Sequence, residues 1–179
     1  ENLAAIEEAI TRLDTASTAR KEVEFHIHVL FAFKAQGPSE GFPEELKDVL
    51  STLKSTLQYK SYALAASFVQ RATAGSWNLQ GKGDTTISIT TPKGVTNSNP
   101  LQFRWGIREF QLETPTEGPA NLKLNSFELR AAEHFGANSE DLASIRTDLN
   151  LKDGEKVVVG TSVLKDRGLI VVLTAKVLK

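Results

Sequence analysis

The chain has 179 residues, 40% of them hydrophobic and 24% charged, with 21 Lys and Arg against 22 Asp and Glu for a net charge of -1. That length can bury a core without covalent staples, and the even mixture of signs speaks against nucleic acid as a partner, because neutralising phosphates needs clustered Lys and Arg. Cysteine is absent, which excludes disulfides, thiolate metal sites and a cysteine nucleophile, and no apolar run reaches the length of a membrane-spanning helix.

Residues 2–14 place Leu3, Ile6, Ile10 and Leu13 on one helical face, which predicts an amphipathic helix. From Val23 the period changes: Val23, Phe25, Ile27 and Val29 alternate with Glu24, His26 and His28, as in a half-buried strand. Pro43 then occupies a first helical position ahead of Glu44 and Glu45, and Leu46, Val49, Leu50, Leu53 and Leu57 mark a second amphipathic helix. The first third therefore reads helix, strand, helix.

The remainder reads as strands. Residues 62–72, 76–83 and 85–92 are three of them, separated by Gly-rich or polar turns. In residues 101–113 the apolar phase slips at Arg108-Glu109, between Ile107 and Phe110, and in residues 121–131 it slips at Asn125-Ser126. An extra residue that shifts the pleat is a β-bulge, so bulges are predicted at both places. Residues 133–143 read as a loop with a short helical turn. The C-terminal segment predicts a three-strand meander, turned at Asp153-Gly154 by a two-residue hairpin and at Gly168 by a positive φ. The continuous apolar runs at 156–164 and 169–178 call for cover on both faces, which places both strands centrally.

The predicted class is α+β: two amphipathic helices near the N-terminus on a mostly antiparallel, multi-stranded sheet or sandwich ending in that meander. Residues 1–60 form a helix-strand-helix part and residues 61–179 a β-rich part, together one compact unit.

Few residues carry chemistry. His26 and His28 lie two apart on one strand, so both side chains leave the same face, and Glu24 shares it; two imidazoles and a carboxylate make an acceptable metal set. The competing explanation is the solvent face of an alternating strand. The stretch from Gly75 to Gly83 fails as a phosphate loop, since five residues separate Gly75 from Gly81 and Lys82 is followed by Gly83; turn glycines between strands account for it. Phe103, Trp105 and Phe110 could line an apolar ligand pocket, although alternate aromatics on a strand ordinarily belong to a core. No nucleophile elbow, paired acid or cofactor-binding motif is present, so no catalytic residue and no cofactor is expected.

Two stretches resemble the bacterial secretins of the type II and type III secretion systems. Residues 9–33 share the helix ending at Leu13-Asp14, the short polar link and the strand through Val23, Phe25, Ile27 and Val29. Residues 149–168 share the Asp153-Gly154-Glu155 turn and the strand Val157-Val158-Val159-Gly160, with Thr161-Ser162 in place of the usual Gly and apolar residue. The resemblance implies ring-building units packed edge to edge, without catalysis. Only one hairpin follows residue 160, with no gate segment, so a detached module is expected rather than a pore. The chain opens on Glu1 and contains no Met, as after removal of a leader, so a periplasmic or otherwise exported location is expected, with the cytoplasm left open.

The leading expectation is thus a non-enzymatic, secretin-like envelope module with protein partners or self-association and no membrane span of its own. A binding protein enclosing an apolar ligand between aromatic strands is the alternative. A metal-dependent hydrolase built on His26, His28 and Glu24 ranks third.

Overall fold

The computed structural model describes residues 21–35, 42–90, 96–135, 138–165 and 167–178. Its strands are β1 (Glu22–Phe33), β2 (Ser61–Thr73), β3 (Trp77–Thr90), β4 (Thr96–Glu113), β5 (Asn121–Phe135), β6 (Asn138–Lys152), β7 (Lys156–Leu164) and β8 (Arg167–Val177). One helix lies between β1 and β2: a 3-10 turn at Glu44–Leu46 leads into α1 (Lys47–Thr56). The strands form two four-stranded sheets, ordered β2-β1-β8-β7 and β3-β4-β5-β6, and every paired neighbour is antiparallel. Spatial order follows chain order in the second sheet, while in the first β8 returns to lie beside β1.

This corrects the predicted α+β class. Among the described residues the protein is a two-sheet antiparallel β-structure with one short helix. The helix predicted at residues 2–14 lies outside them. The second predicted helix is present, but it covers one face of a sheet and does not form a layer of its own.

Two apolar layers hold the fold. Between the sheets, Phe25, Ile27 and Val29 of β1 and Val171 and Leu173 of β8 meet Phe103, Ile107 and Phe110 of β4 and Leu122, Phe127 and Leu129 of β5. Phe25 and Phe110 touch edge to face, with centroids 5.1 Å apart at 81°, the arrangement that aromatic quadrupoles favour. On the outer side of the first sheet, Leu46, Val49, Leu50 and Leu53 of the helical segment pack on Leu30, Ala32, Tyr62, Ile170 and Val172. The Tyr62 hydroxyl donates to the Leu53 carbonyl at 3.0 Å, which satisfies a buried polar group. These two covers explain why β1 alternates in burial at its start and is buried on both faces further on.

The bulge at Asn125-Ser126 is present: the β5–β6 register shifts between Leu124 and Phe127. Ser126 takes a φ of 56°, and its freed N–H donates to Asp148 Oδ1 at 2.7 Å. At Arg108 the apolar phase does slip, since Ile107 and Phe110 are both buried, yet neither ladder of β4 changes register. The neighbouring strands accommodate it: Asn78 of β3, at φ 51°, and Ser126 of β5 flank Arg108 and kink with it. A slip shared by three strands leaves no register shift between them.

Further expectations are corrected. Residues 76–83 and 85–92 were expected as two strands, but β3 runs unbroken from Trp77 to Thr90, with Gly81 and Gly83 inside it. Of the loop expected at 133–143, Glu133 to Phe135 end β5 and Asn138 to Ala143 begin β6, paired through Glu133↔Glu140 and Ala132↔Asp141. Asp153-Gly154 does not make a two-residue hairpin. Only Gly154 has positive φ, at 75°, whereas the hairpin turn requires it at both central residues. The chain instead leaves β6 for β7 in the other sheet, held by Asp153 N–H to the Ala120 carbonyl and Gly154 N–H to the Ala175 carbonyl, both 2.8 Å.

The last correction concerns the final turn. Its positive φ is at Lys165, 54°, while Gly168 lies in β8. A Cβ on Gly168 would stand 2.6 Å from Oη and 2.7 Å from Cζ of Tyr59, so the glycine makes room for that ring. Of the two strands expected to be central, β8 is; β7 is an edge strand with Val158 and Val163 exposed.

Two stability predictions follow. Gly168→Ala should cost about 1–3 kcal/mol by overpacking, seen as a lower urea midpoint, and the penalty should shrink in a Tyr59→Ala background. The second concerns the clamp between α1 and β7, where Lys156 Nζ donates to both Asp48 oxygens at 2.9 and 2.8 Å. That bond, with the Val49 N–H, holds the Asp48 carboxyl below its ordinary 3.8. A depressed acid stabilises the fold above its unfolded pKa and loses that contribution as pH falls through the folded one. Melting temperatures of the parent and Asp48→Asn should therefore differ at neutral pH and converge as the pH drops below 3.8.

Candidate functional site

The outer face of β1 carries Glu24, His26 and His28 in sequence, then the apolar Leu30 and Ala32 under the helix. The helical segment begins where the histidines end, so Glu45, in its 3-10 turn, reaches over them. Glu45 Oε1 lies 3.1 Å from His28 Nε2 and 3.7 Å from His26 Nδ1. One nitrogen from each ring and one Glu45 oxygen lie within 4.8 Å of one another. His28 is 4% exposed, and the two ring centroids are 6.3 Å apart.

The remaining ring nitrogens face other partners. His26 Nε2 meets Glu24 Oε1 at 2.8 Å. Glu24 also accepts from Arg71 Nε at 2.7 Å, and the hydrogen bonds from His26 and Arg71 hold its carboxyl below the ordinary value. An ionised carboxylate only accepts, so the proton in that bond sits on His26 Nε2 and leaves Nδ1 facing Glu45. His28 Nδ1 meets Ser67 Oγ, on β2, at 2.9 Å. Its Nε2 is buried without a well-formed hydrogen bond, and Glu45 Oε1, 3.1 Å away, is near enough to attract a proton there. Burial pushes the His28 imidazole below its ordinary 6.5, against the opposing pull of Glu45.

Of the predicted trio, then, His26 and His28 converge, and Glu24 sits behind His26 on the far side of its ring. Glu45 occupies the third position. Sequence distance hides it, because Glu45 lies 17 positions beyond His28, although the Pro43-Glu44-Glu45 helix start already marked that carboxylate as sitting at a helix N-terminus.

The predicted aromatic set is distributed through the core. Phe103 and Phe110 are fully buried between the sheets, against Phe31 and Phe25 respectively. Trp105 is 4% exposed, crosses over Gly81 of β3 and contacts Phe68 of β2. It also borders a shallow surface recess of about 310 Å³ with Gln80, Gly81, Lys82 and Arg104, and its Nε1 is buried without a hydrogen-bond partner.

Elsewhere on the surface, Trp77 at the start of β3 is 79% exposed, and Val69 of β2 and Val163 of β7 are 60% and 69% exposed. At the β7–β8 turn, Lys165 Nζ donates to both oxygens of the buried Glu133, at 2.7 and 2.6 Å, and Arg167 lies over the rings of Phe31 and Phe33. Among the described residues no helix is long and apolar enough to cross a membrane.

No family model and no curated protein matches the chain. Among solved structures it is similar, weakly, to the type II secretin GspD from enteropathogenic Escherichia coli, at 9% identity and a TM-score of 0.44 over 99% of this chain and 75% of that one.

Proposed function

We propose that this chain is a non-enzymatic, secretin-like module of the bacterial envelope that works through contacts with other proteins or with copies of itself. The observation that carries this reading is Trp77, 79% exposed at the head of an edge strand. Tryptophan is among the residues most enriched at binding hot spots, because covering its large apolar surface releases more water than covering any other side chain.

The edges support the same reading. β2, β3, β6 and β7 end the two sheets, and an edge strand carries backbone donors and acceptors that an added strand can pair. On β7 the outward Val158 and Val163 accompany that edge. The secretin-like stretch Asp153 to Gly160 forms the corner and first half of β7, so the family resemblance falls on an edge strand, which has backbone groups an added strand can pair. The envelope location rests on that resemblance.

Light scattering on a sizing column over a range of concentrations, together with crosslinking in envelope extracts, tests the proposal. Self-association or a discrete crosslinked partner is expected. Trp77→Ser should weaken the complex about tenfold or more while shifting stability by no more than about 0.5 kcal/mol, as for other surface changes. A strict monomer at every concentration, with no crosslinked partner, would remove the reading.

A further inference from the structure

We infer that His26 Nδ1, His28 Nε2 and Glu45 Oε1 form a binding site for a divalent transition-metal ion of the zinc class, with Glu24 and Ser67 as the groups that orient the two imidazoles. This inference is independent of the assembly role above.

Without an ion the three groups are unfavourably arranged. His26 Nε2–H donates to Glu24, so in the neutral imidazole Nδ1 presents a lone pair toward Glu45. When His28 donates Nδ1–H to Ser67 Oγ, Nε2 presents a second lone pair toward the same carboxylate oxygen, 3.1 Å away. Three electron-rich atoms then face one another at a place where His28 Nε2 is out of contact with water and has no hydrogen bond. A buried polar atom left in that state costs free energy. The opposite His28 tautomer would put Nε2–H beside Glu45 and leave Nδ1 to accept from Ser67, so it is the Nδ1–H tautomer that frees Nε2 for a metal. A cation among the three atoms satisfies all of them at once.

Geometry and donor type agree with that cation. Zinc holds imidazole nitrogen and carboxylate oxygen at about 2.0–2.2 Å, so two ligands of a tetrahedral ion stand about 3.3 Å apart. Glu45 to His28, at 3.1 Å, is already at that spacing, and Glu45 to His26, at 3.7 Å, is close to it. Two imidazoles and one carboxylate suit zinc and its neighbours better than magnesium or calcium, which prefer all-oxygen shells. The outer groups match too. A metal-bound histidine almost always donates its other N–H to a carboxylate or another oxygen, and here Glu24 and Ser67 receive them. Arg71 in turn fixes Glu24 from its second oxygen.

Three protein ligands leave the fourth position of a tetrahedral ion to water. Glu45 has 37% of its side chain exposed and His26 15%, against 5% for His28, so the site is closed on the sheet side and open on the helix side. The ion would join the polar start of β1 to the first turn of the helical segment, beside the apolar contact that Leu46 and its neighbours already make with Leu30 and Ala32.

The test uses the full chain, free of any affinity tag and stripped with a chelator, titrated with zinc chloride and separately with cobalt chloride. One zinc per chain by calorimetry, a rise in melting temperature with zinc, and the visible absorption of cobalt in a site of low coordination number are expected. Glu45→Gln, a partly exposed position that folding tolerates, should weaken zinc binding tenfold or more, as should His26→Gln. Glu24→Gln should weaken it about 10–100-fold without removing a ligand. Zinc bound equally well by Glu45→Gln and His26→Gln would place the metal elsewhere and overturn the inference. So would a parent protein that shows no heat of binding and no thermal shift with zinc. His28→Ala is a weaker arm because it opens a buried position, and the cobalt spectrum of Glu45→Gln serves in its place.

Discussion

Between β1 and β7, β8 keeps every residue from Arg167 to Ala175 out of water. A central strand buried on both faces needs two separate covers. The opposing sheet supplies one, over Leu169, Val171 and Leu173, and the helix supplies the other, over Ile170 and Val172. Each such side chain contributes about 1.5–3 kcal/mol when fully buried, so the helix is required although it is short. The same requirement fixes where it can lie. Its apolar side must reach Leu30, Ala32 and Ile170, which sets its first turn over the histidines of β1.

The two faces of β1 consequently differ in kind. The inward face is a dry aromatic and aliphatic layer in which each residue is replaceable by another of similar volume. The outward face begins polar and becomes apolar within a few residues, and the polar part is held by a chain of bonds from Arg71 through Glu24 to His26. Groups held this rigidly lose little further freedom when they bind a ligand, which is the condition for a tight site on a small scaffold. The exposed Trp77 lies at the head of the other sheet, so an assembly surface and a metal site need not compete for the same residues.

Much of the fold was legible because burial leaves a period in the sequence. The alternation from Val23 to Val29, the helix from Leu46 to Leu53 and the phase slip at Asn125-Ser126 are each carried by local spacing, and each is in the structure. The missed features depend on contacts between distant segments. Asp153-Gly154 has hairpin composition, but the bonds from its N–H groups to Ala120 and Ala175 turn it into a corner between sheets. The glycine at 168 reads as a turn residue, but the constraint on it is the ring of Tyr59. Apolar content alone placed β7 beside β8 in the interior; whether a valine run is covered depends on what crosses above it, and the apolar cluster under the helix includes no residue of β7. For the site, His26 and His28 could be paired by their spacing, whereas Glu45 required knowing that the helix turns back over β1.

The closure of the first sheet also sets an order on folding. The strands β3 to β6 pair each with the next along the chain, so their sheet can assemble as it is made. β1 has one neighbour, β2, until β8 arrives from the far end of the sequence to take the other side. During that interval Ile27, Val29 and Phe31 have an open edge beside them, and the helix has only half of its bed. Until β8 has been made and has joined, the β1-β2 ribbon stays unfinished and sticky, and shielding it falls to whatever chaperone meets it first.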